Sequence, residues 1–187
     1  MEEAQRAGAE FGPPQVILRA AQADDLAALV GIELAAGAAF RDLGMDAVAD
    51  DDPGSVDDLA PYAEDGRVLV AADAGGRPIG YLLLDLVDGA AHIEQVSVHP
   101  DHARQGIGRA LIGRAERWAR SHGLDALTLT AYRDVPWNGP YYERLGFVYL
   151  TAEEETPGLK AIREQERRRG LDKWPRGCMR LPLQSPR

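Results

Sequence analysis

Two periods of apolar and polar positions alternate along the chain, and the changes of period mark its elements. Val16–Ala20, Arg67–Asp73, Pro78–Leu86, Ile93–Val98, Ala126–Tyr132 and Phe147–Thr151 are short runs rich in β-branched and aromatic residues, and read as strands. Leu181 and Leu183 mark a closing strand. Helical spacing appears after Ala23-Asp24-Asp25, where Asp24 is the expected N-cap and Leu26, Leu29, Val30 and Leu34 share a face. It returns in Ser55–Glu64, in Ala110–Ser121 (Ile107, Leu111, Ala115 and Trp118 on one side) and in Pro136–Leu145. Pro157–Arg169 is a charged helix with Leu159, Ile162 and Glu166 along one side. Gly75-Gly76 and Asp88-Gly89 supply hairpin turns, and Gly123 closes a helix as its C′ residue. The order is an antiparallel meander, a crossover helix, and a strand expected parallel to Ile93–Val98. This predicts an α/β protein: a poorly ordered leader at 1–14, then a single domain over 15–187.

Composition narrows the function classes. With 187 residues and 45% hydrophobic content, the chain can bury one sizeable core. No apolar run approaches the roughly 20 residues of a membrane helix, and Met1–Glu10 is acidic with no apolar segment of the secretory kind. The single cysteine, Cys178, excludes an internal disulfide and suits a reducing cytoplasm. A net charge of −9 argues against a nucleic-acid partner, suits a cationic amine, and keeps the protein soluble. The four histidines and one cysteine have no ligand-like spacing, so no metal is expected.

The stretch from Ile93 to Arg109 (I-E-Q-V-S-V-H-P-D-H-A-R-Q-G-I-G-R) carries the candidate chemistry. A strand is stopped by Pro100, and two glycines, Gly106 and Gly108, stand where a helix opens. The first N–H groups of a helix lack internal partners, and glycines let a bulky anion approach them. A P-loop would need Gly-Lys-Ser/Thr, which is absent, and a dinucleotide fingerprint would need glycine where Leu111 stands. On two glycines alone an ordinary tight turn is the competing reading.

The wider segment V-S-V-H-P-D-H-A-R-Q-G-I-G-R-A-L-I resembles the acyl-CoA-binding segment of the GNAT (GCN5-related) N-acetyltransferase superfamily, whose usual form is Q/R-x-x-G-x-G/A. W-N-G-P-Y-Y-E-R-L-G-F, Trp137 to Phe147, is similar to that superfamily's downstream motif. The first loop position, usually Gln or Arg, is Ala103 here, so no side-chain contact carries over to it. The resemblance implies a GNAT-like fold: a central mixed, mostly antiparallel sheet of about six to seven strands, flanking helices and a splayed parallel strand pair. It implies acetyl-CoA as acyl donor, with pantetheine along Val96, Ser97 and Val98, and pyrophosphate on Arg104, Gln105, Gly106, Ile107, Gly108 and Arg109. Asn138 is carried over as a pantetheine contact, against a competing role as helix cap. Tyr142 is carried over as the acid that protonates the leaving thiolate, and as a cofactor contact. Glu94 is the candidate base, with His92 or a water as the alternative. Glu33, Phe40 and Asp42 are candidate substrate contacts, each of which also fits a solvated or packing role. The implied activity is acetylation of a small-molecule primary amine by direct attack, in a cytoplasmic monomer or homodimer. Acetylation of a protein N-terminus or lysine, and a non-catalytic acyl-CoA-binding module, are the alternatives.

Overall fold

The computed structural model describes residues 10–11 and 15–183. Most of the expected leader, residues 1–9 and 12–14, lies outside the described residues. Glu10–Phe11, inside that stretch, form a two-residue strand, β1. The chain packs as two compact units, Met1–Leu84 with Gln95–Ala115, and Asp85–Glu94 with Glu116–Arg187.

In the first unit β1 pairs antiparallel with β2 (Ile17–Ala20), and β2 with β3 (Val68–Ala72), Leu18 opposite Ala71. The helices α1 (Leu26–Gly37), α2 (Asp46–Ala49) and α3 (Val56–Glu64) lie between β2 and β3 in the chain. β4 (Pro78–Val87) pairs antiparallel with β3, Val70 opposite Tyr81, with a bulge between Ala71 and Ala72. All five residues of β3 are buried, which is why it reads as an unbroken apolar run rather than an alternation. Leu26, Leu29, Ile32 and Leu59 pack on Val68, Val70, Ala72, Tyr81 and Leu83. Burial of each large side chain in this cluster is worth about 1.5–3 kcal/mol. The N-cap expected at Asp24 is not used. A 3-10 turn, Ala23–Asp25, opens at Gln22, because Asp25 reaches back to the Gln22 N–H (2.7 Å) and is gripped by both terminal nitrogens of Arg19 (2.6 and 3.0 Å). The buried stripe of α1 is Leu26, Leu29 and Ile32, and Leu34 is 51% exposed. Ser55 and Asp58 cap α3 reciprocally. β5 (Ala90–Val98) and α4 (Ile107–Ser121) supply this unit with Gln95–Val98 and the first turns of the helix.

The second unit holds the start of β5, the end of α4, β6 (Ala126–Tyr132), α5 (Gly139–Arg144), β7 (Val148–Tyr149), α6 (Pro157–Arg168) and β8 (Arg176–Pro182). Its strand order is β5-β6-β8-β7. β5 and β6 are parallel, as the crossover helix requires, through Ala91↔Leu127 and His92↔Thr128; among the described residues that register goes no further. β6 and β8 pair antiparallel over their whole length, Ala126↔Pro182 to Tyr132↔Arg176. The chain thus carries a mixed, mostly antiparallel α/β fold with flanking helices. It has eight strands among the described residues, β1 being the one the periodicity leaves out. Cys178 is wholly buried in β8, and burial pushes its thiol up to about 12. Thr156 caps α6, Pro157 occupies its first turn, and the Gly158 N–H donates to Asp88 in the β4–β5 turn at 2.6 Å. Leu159 and Glu166, two turns apart, are the buried residues of that helix. No helix among the described residues is long and apolar enough to cross a membrane.

Candidate functional site

In the first unit the end of β5 is tied down by His99 N–H donating to Ile79 O at 2.9 Å. Pro100–His102 then forms one 3-10 turn, with Asp101 N–H donating to His99 Nδ1. Ala103, Arg104, Gln105 and Gly106 are all exposed. Two of them turn left-handed, Arg104 at φ +61° and Gly106 at φ +77°. Glycine adopts that conformation freely; an arginine adopts it at a cost in backbone strain. α4 starts at Ile107, three residues before the expected Ala110, and its ladder begins with Ala110 N–H to Gly106 O at 3.0 Å. The amides of Ile107, Gly108 and Arg109 therefore stand outside the helix's own ladder, at its positive end and below an open loop. Those are the features a pyrophosphate requires. Ile107 is buried and anchors the helix start. Ser97 is buried, its hydroxyl accepting from Gln95 Nε2 at 2.8 Å, while Val96 and Val98 are half-buried.

The structure adds a residue that the motifs do not contain. A Cβ on Gly80 of β4 would meet Ser97 O at 3.0 Å, Val98 Cγ2 at 3.3 Å and Ile107 Cγ2 at 3.4 Å. Gly80 thus lets the strand and the helix start close on each other. A lone glycine inside a strand pattern was the available signal.

Of the candidate substrate contacts, Glu33 on α1 accepts a short hydrogen bond from the Tyr81 hydroxyl of β4. Tyr81 is fully buried, and burial together with the Glu33 charge pushes its phenol up. Phe40 and Asp42 lie in one 3-10 helix, Ala38–Leu43, half-buried and exposed respectively. Arg41 between them pairs with Asp50. Glu33 is thus anchored rather than solvated, and it is joined to Tyr81 rather than to Asp42.

In the second unit Glu94 and His92 point to one face of β5, two residues apart. Glu94 Oε2 lies 3.9 Å from His92 Nε2; the glutamate side chain is 46% exposed and the histidine 2%. His92 Nδ1 and Thr128 Oγ1 share a hydrogen bond of 2.9 Å across the parallel register. Burial lowers His92 to about 4, so the ring is neutral near pH 7. Glu94 is raised from the usual carboxylate range, first by the desolvation of its seat and then by the charges of Asp85 and Glu166. A raised carboxylate beside a neutral imidazole is suited to accept a proton.

Tyr142 is buried on α5, edge-on to Phe147 (5.8 Å) and Tyr141 (5.5 Å). Burial raises its phenol, so it keeps its proton. Asn138 does not cap α5 with its side chain. Its Oδ1 accepts from Tyr132 N–H at 2.7 Å, fastening the start of the helix to the end of β6. Gly139 follows because a Cβ there would lie 2.7 Å from Tyr132 O and against the Tyr149 hydroxyl. The helix α5 runs Gly139–Arg144 rather than from Pro136. The second unit therefore holds Glu94, Asn138 and Tyr142, and the first unit holds Val96 to Val98, Arg104 to Arg109, Glu33, Phe40 and Asp42.

The model of the acetyltransferase (GNAT) family matches residues 37–147. A mycothiol acetyltransferase from Clavibacter michiganensis subsp. michiganensis is 31% identical over 96 residues, 50% of this chain and 31% of that protein. One from Frankia casuarinae is 34% identical over 124 residues, 65% of this chain and 35% of that protein. The matched segment thus spans 35% or less of these curated relatives. Among solved structures, the PaiA N-acetyltransferase from Thermoplasma acidophilum in complex with coenzyme A aligns with a TM-score of 0.66 and 14% identity, over 89% of this chain and 98% of that one. At that identity the likeness is one of fold.

Proposed function

The chain belongs to the acetyltransferase (GNAT) family, and we propose that it moves an acetyl group from acetyl-CoA to a primary amine of a small molecule. The observation that carries this reading is the exposed left-handed loop, Ala103–Gly106, set over the unladdered amides of Ile107, Gly108 and Arg109. It is a seat for pyrophosphate made of backbone, with Arg104 and Arg109 adding charge. Val96, Ser97 and Val98 pair with the pantetheine arm, and the Asn138 amide nitrogen adds a donor while its oxygen stays on Tyr132. Acetyl-CoA supplies an activated thioester carbonyl.

The amine nitrogen bonds to the carbonyl carbon and the carbon–sulfur bond breaks. Glu94 accepts the proton the amine gives up, directly or through one water. Tyr142 gives its phenolic proton to the departing sulfur, which spares the reaction a free thiolate. Glu33, Phe40 and Asp42 are carried over as acceptor contacts, and the net charge of −9 favours a cationic acceptor. The relatives' name, mycothiol acetyltransferase, supports a small-molecule product. A monomer or homodimer in the cytoplasm completes the reading.

The test is release of free CoA thiol from acetyl-CoA against polyamines, arylalkylamines, amino acids, aminoglycosides and short peptides. Turnover on one small amine supports the proposal. Turnover on peptides alone replaces the acceptor class, and tight acetyl-CoA binding without turnover on any amine turns the protein into a binding module. With an acceptor in hand, Glu94→Gln is expected to cost about 100-fold or more in kcat/KM and to abolish the acid limb of the pH profile. Tyr142→Phe is expected to lower kcat with little change in acetyl-CoA affinity.

A further inference from the structure

The charged helix α6 lies beyond the segment matched by the family model, which ends at residue 147, yet it buries a carboxylate in the second unit. Glu166 is 6% exposed. Its Oε1 accepts from Thr130 Oγ1 of β6 at 2.5 Å and from Arg176 Nη2 of β8 at 2.8 Å, and its Oε2 accepts from Arg163 at 2.5 Å. Arg176 also bonds Thr130 Oγ1 at 2.7 Å, and Arg163 pairs with Asp172 at 2.7 Å. Arg167 also pairs with Asp172 at 3.3 Å, so two carboxylates are held by three arginines in a fixed geometry.

Thr130 is two residues along β6 from Thr128, so the two threonines share a face. Thr128 bonds His92, and His92 faces Glu94. One continuous polar face therefore runs from Glu94 through His92 and Thr128 to Thr130 and the Glu166 cluster. A helix fixed only for stability would be cheaper with an apolar residue at this position, since buried ion pairs give back little of their desolvation cost.

We propose that Glu166 is a positioning residue for acyl transfer, held by Arg163, Arg176 and Thr130 so that its charge acts on the Glu94 carboxylate across the β5–β6 face. The inference rests on the acyl-transfer reading of Glu94. The ionisable groups that bear on Glu94 are His92 on β5, Asp85 on β4, Glu166 on α6, Arg169 just after it and Arg176 on β8. Asp85 and Glu166 make ionisation of Glu94 harder, and Arg169 and Arg176 make it easier. His92 stays neutral near pH 7. Removing the Glu166 charge takes away a negative charge and the carboxylate partner of Arg176, which favours the Glu94 carboxylate. Removing Arg176 does the reverse. A merely structural Glu166 would lower rate and stability without these opposite signs.

The experiment is a carbon-13 titration of the Glu94 carboxyl in the full chain, run beside the pH profile of kcat/KM, for the wild type, Glu166→Gln, Arg176→Gln and Lys160→Gln. Lys160 is exposed on the same helix and serves as the charge control. The Glu94 titration and the acid limb are expected to move to lower pH in Glu166→Gln and to higher pH in Arg176→Gln, and to stay in place in Lys160→Gln. On the acid side this reads as a gain of about threefold in relative rate for Glu166→Gln. An unmoved Glu94 titration, or shifts of one sign in both variants, overturns the inference alone. A titration that moves while the acid limb stays overturns Glu94 as the base, and the role of Glu166 in the reaction with it. If Glu166→Gln does not fold, Arg176→Gln decides by the same readings.

Discussion

The loop from Ala103 to Arg109 and the polar face around His92 and Glu94 handle charge by opposite means. The loop is open to solvent from Ala103 to Gly106 and offers backbone amides, with two left-handed residues setting their direction. None of its own groups has to be kept ionised in a dry place. The polar face holds a histidine at 2% exposure and a glutamate at 6%, joined to partners 36 residues away in sequence in both cases. Its protonation states are the property it controls, and they are costly to hold. A site that only cradles an anion can be made from consecutive residues. A site that moves a proton needs neighbours whose burial and charge shift the groups doing the moving.

If that contrast is right, the largest effect belongs to the buried side. The folded His92 titrates at about 4, against 6.5 for an ordinary imidazole. Between those values the unfolded chain binds a proton that the folded chain refuses. Stability is therefore fully present above pH 6.5 and falls as the pH drops toward 4, by up to about 3 kcal/mol from this one group. Chemical denaturation from pH 7.5 to 4.5 should show the fall, and His92→Gln should flatten its upper part. A wild-type curve with no slope there would break the comparison, because the face would not be holding its histidine neutral.

The next largest effect tests the seat of the loop. In Gly80→Ala the new methyl meets a backbone oxygen at 3.0 Å and two side-chain carbons just beyond. A destabilisation of about 1–3 kcal/mol is expected, together with weaker acetyl-CoA binding by calorimetry. Gly106→Ala should cost about 1–2 kcal/mol through its left-handed backbone, with a proportionally larger loss of acetyl-CoA affinity than of stability. Equal losses in both would mean that the turn serves the fold rather than the anion.

How far the sequence could be read follows the same division. The loop was legible because its residues are contiguous and the change from period two to period 3.6 falls inside it. The parallel β5–β6 pair followed from the crossover helix, whereas the place of β8 between β6 and β7 had no signal in the order of the chain. By spacing Leu34 falls with Leu26 and Val30, yet it is 51% exposed, because the buried stripe of α1 runs through Leu26, Leu29 and Ile32. Asn138 and Gly139 stood in a recognisable motif. What they do, fastening α5 to Tyr132 and admitting the Tyr149 hydroxyl, depends on β7 and β8 folding back against β6. Glu166 showed only as a charge on the apolar side of a helix. Its partners, Thr130 and Arg176, lie in different strands, and no local pattern joins them.

The smallest effect concerns Arg104, and it sharpens the comparison most. At φ +61° this arginine sits where glycine is at ease, and its side chain is exposed. On the proposed function, this arginine carries a backbone penalty in exchange for a charge beside the pyrophosphate. Arg104→Gly relieves the penalty but gives the unfolded chain more freedom, and the two effects oppose. A net gain in stability of about 0.5–1 kcal/mol is expected, read as a small rise in Tm. Acetyl-CoA affinity should move the other way, falling about three- to tenfold, with the loss shrinking as salt is raised because the proposed interaction is with a phosphate near solvent. A stability loss instead would mean that Arg104 holds the loop together, and the anion seat would then depend on a side chain as the buried face does. Higher stability with lower affinity would establish that the two regions store their cost differently, one in a strained backbone at the surface and the other in desolvated charge.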